Sequence, residues 1–239
     1  MDFSVVAFNA HWGLGRYGAT RGVRFDVPAL IRSWDADIAV VPESFRFRDG
    51  TGILDSLAEV GYTLERVEFM DLALRLDPSG VRDGAPRHGT WELAICSRFP
   101  VLDRSPIVLR NVKADPVPER KALSVTVEID GRAVEIVGLH TSSRLHVFAP
   151  VRHLLSARPH LGRGMPQVIA GDFNFWGPPV AAMMPGWKRP VRGATWPSHR
   201  PHSQIDHVLV RGGIEPVSGE VLPATPSDHR PVRARLRLA

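Results

Sequence analysis

The stretch Gln167-Val168-Ile169-Ala170-Gly171-Asp172-Phe173-Asn174 is the most informative part of this 239-residue chain. Its apolar first half is typical of a buried β-strand, and Gly171 permits a tight exit from that strand. Asp172 and Asn174 follow at once, so a base and a hydrogen-bond donor would project into one site. An isolated Gly-Asp-x-Asn sequence is often only a turn. Its weight here comes from similar clusters along the chain.

Polar residues follow apolar, strand-like runs at several other positions. Such runs precede Asn9, Glu43 and His140, and further clusters lie close to the C-terminus. The polar residues of these clusters are Asn9, Glu43, His140, Asp206, Asp228 and His229. Strands that end at the same edge of packed sheets deliver such side chains to one rim, so we expect them to share a site.

The residue types of these clusters indicate a class of chemistry. Carboxylates, amides and histidines without cysteine suit a hard, oxygen-preferring divalent cation such as Mg²⁺ or Mn²⁺, and this donor set suits phosphate chemistry. We therefore expect a metal-dependent phosphoester hydrolase. The one cysteine, Cys96, lies in the apolar run from Leu93 to Cys96, which predicts a buried, inert thiol and gives weak support to a reducing compartment.

Composition bounds the protein class. With 44% hydrophobic residues over 239 positions the chain can bury a substantial core, and we expect one domain spanning residues 1–239. No run approaches the roughly 20 apolar residues of a membrane helix, and no targeting segment precedes the first strand. These features predict a cytoplasmic protein without stable membrane insertion.

Charge favours a polyanionic partner. The formal net charge is +5 and the pI is about 10.1, with arginine in most loops that flank the polar clusters. The flanking residues are Arg16, Arg21, Arg24, Arg46, Arg48, Arg144, Arg189, Arg192 and Arg200. Such a basic rim could track a nucleic-acid backbone, although arginine also simply solvates loops.

Hydrophobic periodicity predicts the elements between the clusters. A helix begins after Asp26 with Pro28 in its first turn, and a second helix ends at Gly61. The Asp130-Gly131 pair between two alternating runs predicts a hairpin, and Pro150 begins a further helix. Strands are expected at residues 3–8, 38–41, 63–69, 72–76, 91–96, 122–129, 133–139, 167–170, 205–210 and 232–238. A surface loop is expected at 77–89, and a long stretch rich in proline and glycine lies between 176 and 201. The mixture predicts an α/β sandwich of two packed sheets with helices on their outer faces.

Together, these motifs resemble the endonuclease/exonuclease/phosphatase superfamily over nearly all 239 residues. The matching segments are Val5–Asn9, Asp37–Glu43, Leu93–Pro100, Gly138–Thr141, Gly171–Asn174, Ala194–Pro197, Ile205–Val208 and Ser227–His229. The resemblance implies a four-layer α/β sandwich, in which two mainly antiparallel sheets are flanked by helices and the site lies at one end of both sheets.

The resemblance also implies roles for the polar residues. Glu43 would be the principal metal ligand, with Asn9 and Asp228 completing the metal environment directly or through water. Asp172 would orient or deprotonate the attacking water, and Asn174 would hydrogen-bond the phosphate.

Three further roles concern histidines. His229 would form a histidine–carboxylate couple with Asp206 beside the scissile phosphorus. His140 would act on the phosphate or leaving group, and its position is closer to the deoxyribonuclease, sphingomyelinase and phosphatase branches than to the abasic-site endonucleases. Glu92 is a candidate partner for His140. The remaining candidates for surface or rim positions are His11, His146, His199, His202 and His207.

One departure from the family pattern concerns the residue before the metal-binding glutamate, which is usually glutamine and here is Pro42. A phosphodiesterase acting on DNA or RNA is the favoured activity. A phosphatase or phospholipid phosphodiesterase acting on a small phosphorylated substrate is the alternative. An inactive binding scaffold is a further hypothesis, motivated by Pro42.

Overall fold

The computed structural model describes residues 1–74, 87–113, 115–143, 148–161 and 164–239. The strands in these ranges are β1 (Asp2–Ala7), β2 (Ile38–Phe47), β3 (Thr63–Leu74), β4 (Arg87–Ser97), β5 (Val101–Val108), β6 (Lys121–Ile129), β7 (Arg132–His140), β8 (Gln167–Asp172), β9 (Asp206–Arg211), β10 (Ile214–Val221) and β11 (Val232–Leu238). The α-helices are α1 (Val27–Ser33), α2 (Phe148–Ala157) and α3 (Gly177–Met183), and short 3₁₀ helices cover His11–Gly13, Gly18–Thr20, Asp55–Val60 and Arg158–His160.

The strands form two sheets. A six-stranded sheet has the order β10-β11-β1-β2-β4-β3, and a five-stranded sheet has the order β5-β6-β7-β8-β9. Each sheet contains one parallel pair, β1 with β2 and β7 with β8, and the other pairs are antiparallel. The predicted fold class, two mainly antiparallel sheets in a sandwich with helices outside, is confirmed.

Apolar side chains fill three interfaces and so define four layers. The largest cluster joins the inner faces of the two sheets and includes Val40, Ile95, Ile136 and Val208. This interface buries alternate residues of strands from both sheets, as expected for a sandwich core.

The two outer interfaces carry the helices. Val27 and Ile31 of α1 pack on the outer face of the six-stranded sheet. Leu154 of α2 and Val180 of α3 pack on the outer face of the five-stranded sheet. Burial of each helix on one side only explains why their apolar residues recur at helical spacing.

The parallel strand pairs determine which edge of each sheet carries the polar residues. Parallel strands leave a sheet at the same edge, so the residues that follow β1 and β2 emerge together. The ends of β7 and β8 emerge together in the same way, with His140 paired to Asp172. The antiparallel strand β9 starts at this edge, and its Asp206 pairs with Asp172.

Local predictions are confirmed where a turn or cap residue determines the structure of its immediate neighbours by itself. The side chain of Asp26 accepts a hydrogen bond from the amide of Ala29 (2.8 Å) at the start of α1. Asp130 and Gly131 both have positive φ in the β6–β7 turn (53° and 70°), as an Asp-Gly hairpin requires.

Other local predictions are wrong in type or extent. The second helix is a 3₁₀ helix at Asp55–Val60, and the two strands expected at 63–76 are one strand, β3, with a bulge between Glu68 and Met70. Residues 87–89 of the expected loop belong to β4, and 75–86 lie outside the described residues. Strands β5 and β10 and helix α3 were not expected, because prolines in all three weaken their periodicity.

Candidate active site

Three polar residues occupy one row across the five-stranded sheet. His140, Asp172 and Asp206 stand at the ends of β7, β8 and the start of β9, in direct register with one another. All three side chains are buried. Regular strand pairing therefore brings an imidazole and two carboxylates together at one edge.

Glu43 reaches the site through an irregularity in β2. The pairing of β2 with β4 shifts between Val41 and Ser44, so Pro42 and Glu43 oppose one residue of β4. Glu43 has φ +53°, a left-handed conformation that is rare outside glycine. Such β-bulges re-aim side chains next to active sites. Pro42 fits here because a bulged residue can do without a ladder hydrogen bond.

Asp172 lies at the centre of the cluster. Its Oδ2 accepts a hydrogen bond from Nδ2 of Asn9 (3.1 Å), and its Oδ1 accepts one from the amide of Asn174 (2.8 Å). The Nε2 atoms of His140 and His229 each lie 3.7 Å from the same Oδ2. One carboxylate thus faces two imidazoles that arrive on different segments.

His229 and Asp206 form a buried couple. Nδ1 of His229 lies 2.9 Å and 3.1 Å from the two carboxylate oxygens of Asp206. This contact fixes the ring so that Nε2 points toward Asp172. Burial lowers the pKa of His229, but the charges of Asp206 and Asp172 outweigh burial and raise this pKa to about 10. The ring is therefore a cation at neutral pH.

His140 has the opposite electrostatics. Burial, and then the positive charges of Arg120 and His229, hold the pKa of His140 well below its ordinary value. The ring is neutral at pH 7, and its Nε2 lies 3.8 Å from Oε1 of Glu43. Nη1 of Arg120 donates a hydrogen bond to the His140 carbonyl (3.0 Å), which holds the end of β7.

The two central carboxyl groups share a raised proton affinity. Burial raises the pKa of Glu43 to about 8, and the charges of Asp228 and Asp172 add to the rise. Burial likewise raises the pKa of Asp172 to about 7, although His229 opposes this change. Burial is the main cause of both rises, and at Glu43 the crowding with Asp228 and Asp172 adds to it.

This crowding, together with the donor set, fits a divalent cation. Glu43 and Asp228 offer carboxylate oxygens, and Asn9 offers an amide oxygen, which are the ligands that Mg²⁺ and Mn²⁺ prefer. Asp172, Asp206 and His229 also have ligand atoms within 4.8 Å of one another. In that second group, however, Nδ1 of His229 already binds Asp206.

Asn174 and Asn9 position their neighbours as well as facing the site. Asn174 has φ +47°, and its Nδ2 donates to the carbonyl of Thr141 (2.9 Å), which leaves its second amide hydrogen free of that bond. Oδ1 of Asn9 accepts from the amide of His11 (3.0 Å). The carbonyl of Asn9 accepts from the hydroxyl of Ser227 (2.7 Å), which ties the Asp228 loop to β1.

A cavity of about 720 Å³ opens over the cluster. Six of the eight predicted site residues line it directly. These lining residues are Glu43, His140, Asp172, Asn174, Asp228 and His229. Asn9 and Asp206 lie beneath this surface, in contact with Asp172 and His229. The structure thus brings all eight predicted residues to one place.

Sequence reasoning missed several residues around the cavity. Arg120 lines the cavity while almost fully buried, and its guanidinium binds Asp115 through two contacts (2.6 and 2.8 Å). Trp12 and Trp91 also line the cavity. No motif marks these residues, because their strands and loops carry them to the site only in the folded chain.

Two predictions made from the sequence are wrong: the partner of Glu92 and the surface position of His207. Glu92 does not pair with His140; its carboxylate binds Nε of Arg46 at 2.8 Å and faces Arg66 at 3.5 Å. His207 is fully buried rather than on the surface, with Nε2 donating to the Phe175 carbonyl (2.9 Å).

The other surface or rim histidines have mixed outcomes. His199 and His202 are exposed, and His11 is partly buried at the rim, where its Nδ1 lies 2.8 Å from the carbonyl of Leu14. His146 lies outside the described residues.

The arginines of the proposed basic rim lie mostly elsewhere. None of the described ones lines the cavity, and Arg144 is outside the described residues. Arg46 pairs with Glu92, and Arg189 donates to Gln204 (3.2 Å). Among the lining residues that the structure describes, the one arginine is Arg120.

A family model decides the relationship that the motifs suggested. The model described as the endonuclease/exonuclease/phosphatase family matches residues 6–229. The chain belongs to the endonuclease/exonuclease/phosphatase family. Members of this family hydrolyse phosphoester bonds and generally depend on divalent metals, so the chain is a phosphoester hydrolase with a candidate metal site. No helix within the described ranges has the length and hydrophobicity of a membrane span.

Solved structures show the same fold. An endonuclease/exonuclease/phosphatase from Beutenbergia cavernae is 23% identical, with a TM-score of 0.75 over 100% of this chain and 72% of that one. A mannosyl-6-phosphatase from Bacteroides thetaiotaomicron is 18% identical, with a TM-score of 0.70 and coverage of 98% and 99%. ANGEL2, a 2',3'-cyclic phosphatase, is 16% identical, with a TM-score of 0.70 and coverage of 100% and 95%. Comparison with curated protein sequences gives no significant match.

Proposed function

We propose that this family member uses a divalent cation and an activated water to hydrolyse a phosphoester in the cavity above Asp172. The strongest support for this proposal is the set of groups around the Asp172 carboxylate. Asp172 faces a cationic His229 and a neutral His140, both at 3.7 Å, and accepts hydrogen bonds from Asn9 and Asn174.

Glu43 and Asp228 would hold Mg²⁺ or Mn²⁺, with Asn9 beside them. When bound, such a cation neutralises charge on a non-bridging phosphate oxygen. The raised pKa of Glu43, about 8, reflects burial and the repulsion by Asp228 and Asp172, and this repulsion is what a bound cation would relieve.

Asp172 is proposed as the base. Its pKa of about 7 lies near working pH, where a base both exists in the ionised form and accepts a proton effectively. The water oxygen forms the new bond to phosphorus, and a water proton passes to Asp172. The ester P–O bond breaks with its electron pair going to the alcohol oxygen, which takes a proton from solvent.

The histidines are assigned different tasks because their charges differ. His229, held as a cation by Asp206, would stabilise negative charge on the phosphoryl oxygens. His140 is neutral, so we assign it to hydrogen bonding with the phosphate rather than to protonating the leaving group. Asn174 would supply its second amide hydrogen to the same group.

The substrate is proposed from the cavity lining. None of the described arginines of the basic rim that favoured DNA or RNA lines this cavity, and the arginine that does line it, Arg120, is buried. We therefore propose a small phosphoester in the first place, with nucleic acid as the second candidate, supported by the net charge of +5. Pro42 sits in a bulge that still presents Glu43, which weakens the scaffold hypothesis.

The domain and compartment stay predictions. We propose that residues 1–239 act as one catalytic domain, supported by sheet ends that both contribute to the cavity. A cytoplasmic location has the support of the buried free thiol of Cys96, whose pKa burial raises to about 12.

A hydrolysis screen tests the proposed function. Purified protein would be incubated with bis(p-nitrophenyl) phosphate, p-nitrophenyl phosphate, DNA and RNA in Mg²⁺, in Mn²⁺ and in EDTA. We expect turnover of at least one small ester with metal and none with EDTA. Equal turnover in EDTA, or no turnover of any phosphoester with either metal, would contradict the proposal.

A further inference from the structure

The cavity over Asp172 has aromatic walls that the proposed chemistry does not use. Trp12, Trp91, Phe175, Trp176 and Trp196 line it, and the first two and the next two form ring pairs. Phosphoryl transfer itself calls for charges, amides and water. These rings therefore serve something other than the reacting phosphate.

The first wall touches the proposed catalytic residues. The ring of Trp91 lies 5.5 Å from the ring of His140 at an angle of 61°. Trp12 packs edge-on against Trp91 at 5.9 Å, and Phe69 also packs edge-on against Trp91 at 5.4 Å. Trp91 is held on several sides, so this wall is a fixed apolar surface beside the phosphate position.

The second wall is tied to the site by chain connectivity. Phe175 and Trp176 directly follow Asn174, and their rings lie 5.7 Å apart. Trp176 remains 48% exposed although it is a large apolar residue. An exposed tryptophan that lines a cavity offers area for a ligand to cover, and here it lies two residues from a proposed phosphate contact.

Charge limits what the rest of the substrate can be. The described lining carries three carboxylates, Glu43, Asp172 and Asp228. Its positive groups are the His229 ring and the one guanidinium, that of Arg120. That guanidinium already binds Asp115 and the His140 carbonyl. A second phosphate would meet no free arginine among these residues, and the proposed mechanism assigns His229 to the reacting phosphate. The part of the substrate beyond that phosphate should therefore carry no further negative charge.

We propose that the cavity selects phosphoesters whose alcohol carries one planar aromatic ring without a second anionic group, and that this ring packs against the exposed ring of Trp176. A volume of about 720 Å³ is ample for a phosphate and one or two rings, and is typical of small-molecule sites. This inference rests on the proposed function, because it places the phosphate at Asp172.

The test compares phosphates with matched leaving groups. Butyl, 2-cyclohexylethyl and 2-phenylethyl phosphate, and their methyl diesters, all release primary alcohols, so their chemical reactivity is similar. We expect the phenyl compound to have a KM roughly three- to tenfold below the cyclohexyl compound, with similar kcat, because aromatic pairs gain beyond the area they bury.

Variants locate the effect. Trp176→Ala removes an exposed side chain and should abolish the preference for phenyl over cyclohexyl phosphate, while its far-UV circular dichroism stays that of the wild type. Val217→Ala, on strand β10, is the matched control because Val217 is 50% exposed and does not line the cavity. Trp176→Phe should retain most of the preference.

A binding measurement tests this inference independently of the proposed hydrolysis. Calorimetric titration with 2-phenylethylphosphonate and 2-cyclohexylethylphosphonate in Mn²⁺ requires no turnover, and should show the same preference and its loss in Trp176→Ala. Equal affinities, or a preference that persists in Trp176→Ala, would overturn the inference even if the esters are hydrolysed. Failure of hydrolysis with a retained binding preference would overturn the proposed reaction alone.

Discussion

The two sheets contribute to the site in different ways. The six-stranded sheet supplies Asn9 and Glu43, and Glu43 reaches the cavity only because a bulge in β2 gives it φ +53°. The five-stranded sheet supplies His140, Asp172 and Asp206 in one uninterrupted register. The proposed metal side thus depends on an irregular backbone, and the proposed water-activating side depends on regular pairing.

The difference has a functional meaning under the proposed mechanism. A cation can adjust to small changes in ligand position, whereas proton transfer requires a hydrogen-bonding distance. Loss of a residue on the metal side should therefore be relieved by more metal. Loss of a residue on the water-activating side should not.

The largest expected effect lies on the five-stranded side. Asp172→Asn keeps the shape of the side chain and one of its two accepted hydrogen bonds, because the carboxamide has a single acceptor oxygen. It removes the base, so kcat should fall about a thousandfold or more with little change in KM. The measurement is steady-state hydrolysis of bis(p-nitrophenyl) phosphate at saturating Mn²⁺. Asp103→Asn, at an exposed position of β5, is the matched control and should retain full activity. An Asp172→Asn enzyme within about fivefold of wild type would remove the base from this account.

The His229–Asp206 couple should behave as one unit. His229→Ala and Asp206→Asn should each lower kcat/KM by about a hundredfold, since each breaks a charged, buried hydrogen bond. The double variant should be scarcely worse than His229→Ala, because residues that act together are not additive. Kinetics on the two single variants and the double variant complete the cycle. Multiplicative losses would show that the two residues act separately.

The metal side should show a smaller and reversible defect. Glu43→Gln should weaken Mn²⁺ binding by about a hundredfold, while kcat at saturating Mn²⁺ recovers to near wild type. Calorimetric titration gives the affinity, and activity against Mn²⁺ concentration gives the recovery. Glu128→Gln, an exposed glutamate on β6, serves as control. Unchanged Mn²⁺ affinity in Glu43→Gln would place the metal elsewhere, with Asp172, Asp206 and His229 as the next candidates.

The smallest expected effect is on stability. It concerns His207, a buried residue of β9 in the five-stranded sheet. Burial lowers the pKa of His207 to about 4 from its ordinary 6.5, so the unfolded chain binds this proton at a higher pH than the folded one. The contribution of neutral His207 to the free energy of unfolding is complete above pH 6.5 and is lost as the pH falls toward 4. By pH 5 the loss amounts to about 2 kcal/mol.

His207→Gln should remove that loss, so the free energy of unfolding of the variant should fall less than that of wild type between pH 7.5 and 5. Urea unfolding at both values measures it. His160→Gln, at an exposed histidine, should change nothing. Parallel pH profiles for wild type and His207→Gln would show that the buried ring is not the cause.

The regular parts of this molecule could be predicted from the sequence, and the irregular parts could not. Strand runs ending at His140 and Asp172 indicate their shared edge, because parallel strands leave a sheet together. The Asp-Gly hairpin turn and the Asp26 cap act within a few residues, so they too are visible in sequence.

What sequence could not show depends on contacts across the fold. The bulge at Glu43 exists only relative to β4, and Arg120 becomes part of the site only through its bonds to Asp115 and His140. Glu92 was assigned to the wrong partner because Arg46 and Arg66 reach it from β2 and β3, on either side of β4.

The most direct test of the central claim is a single turnover in ¹⁸O-labelled water with enzyme in excess over bis(p-nitrophenyl) phosphate and Mn²⁺. If Asp172 activates a water that attacks phosphorus, mass spectrometry should find one ¹⁸O atom in the phosphate product and none in the nitrophenol. An unlabelled phosphate product, or label in the nitrophenol, would contradict the account.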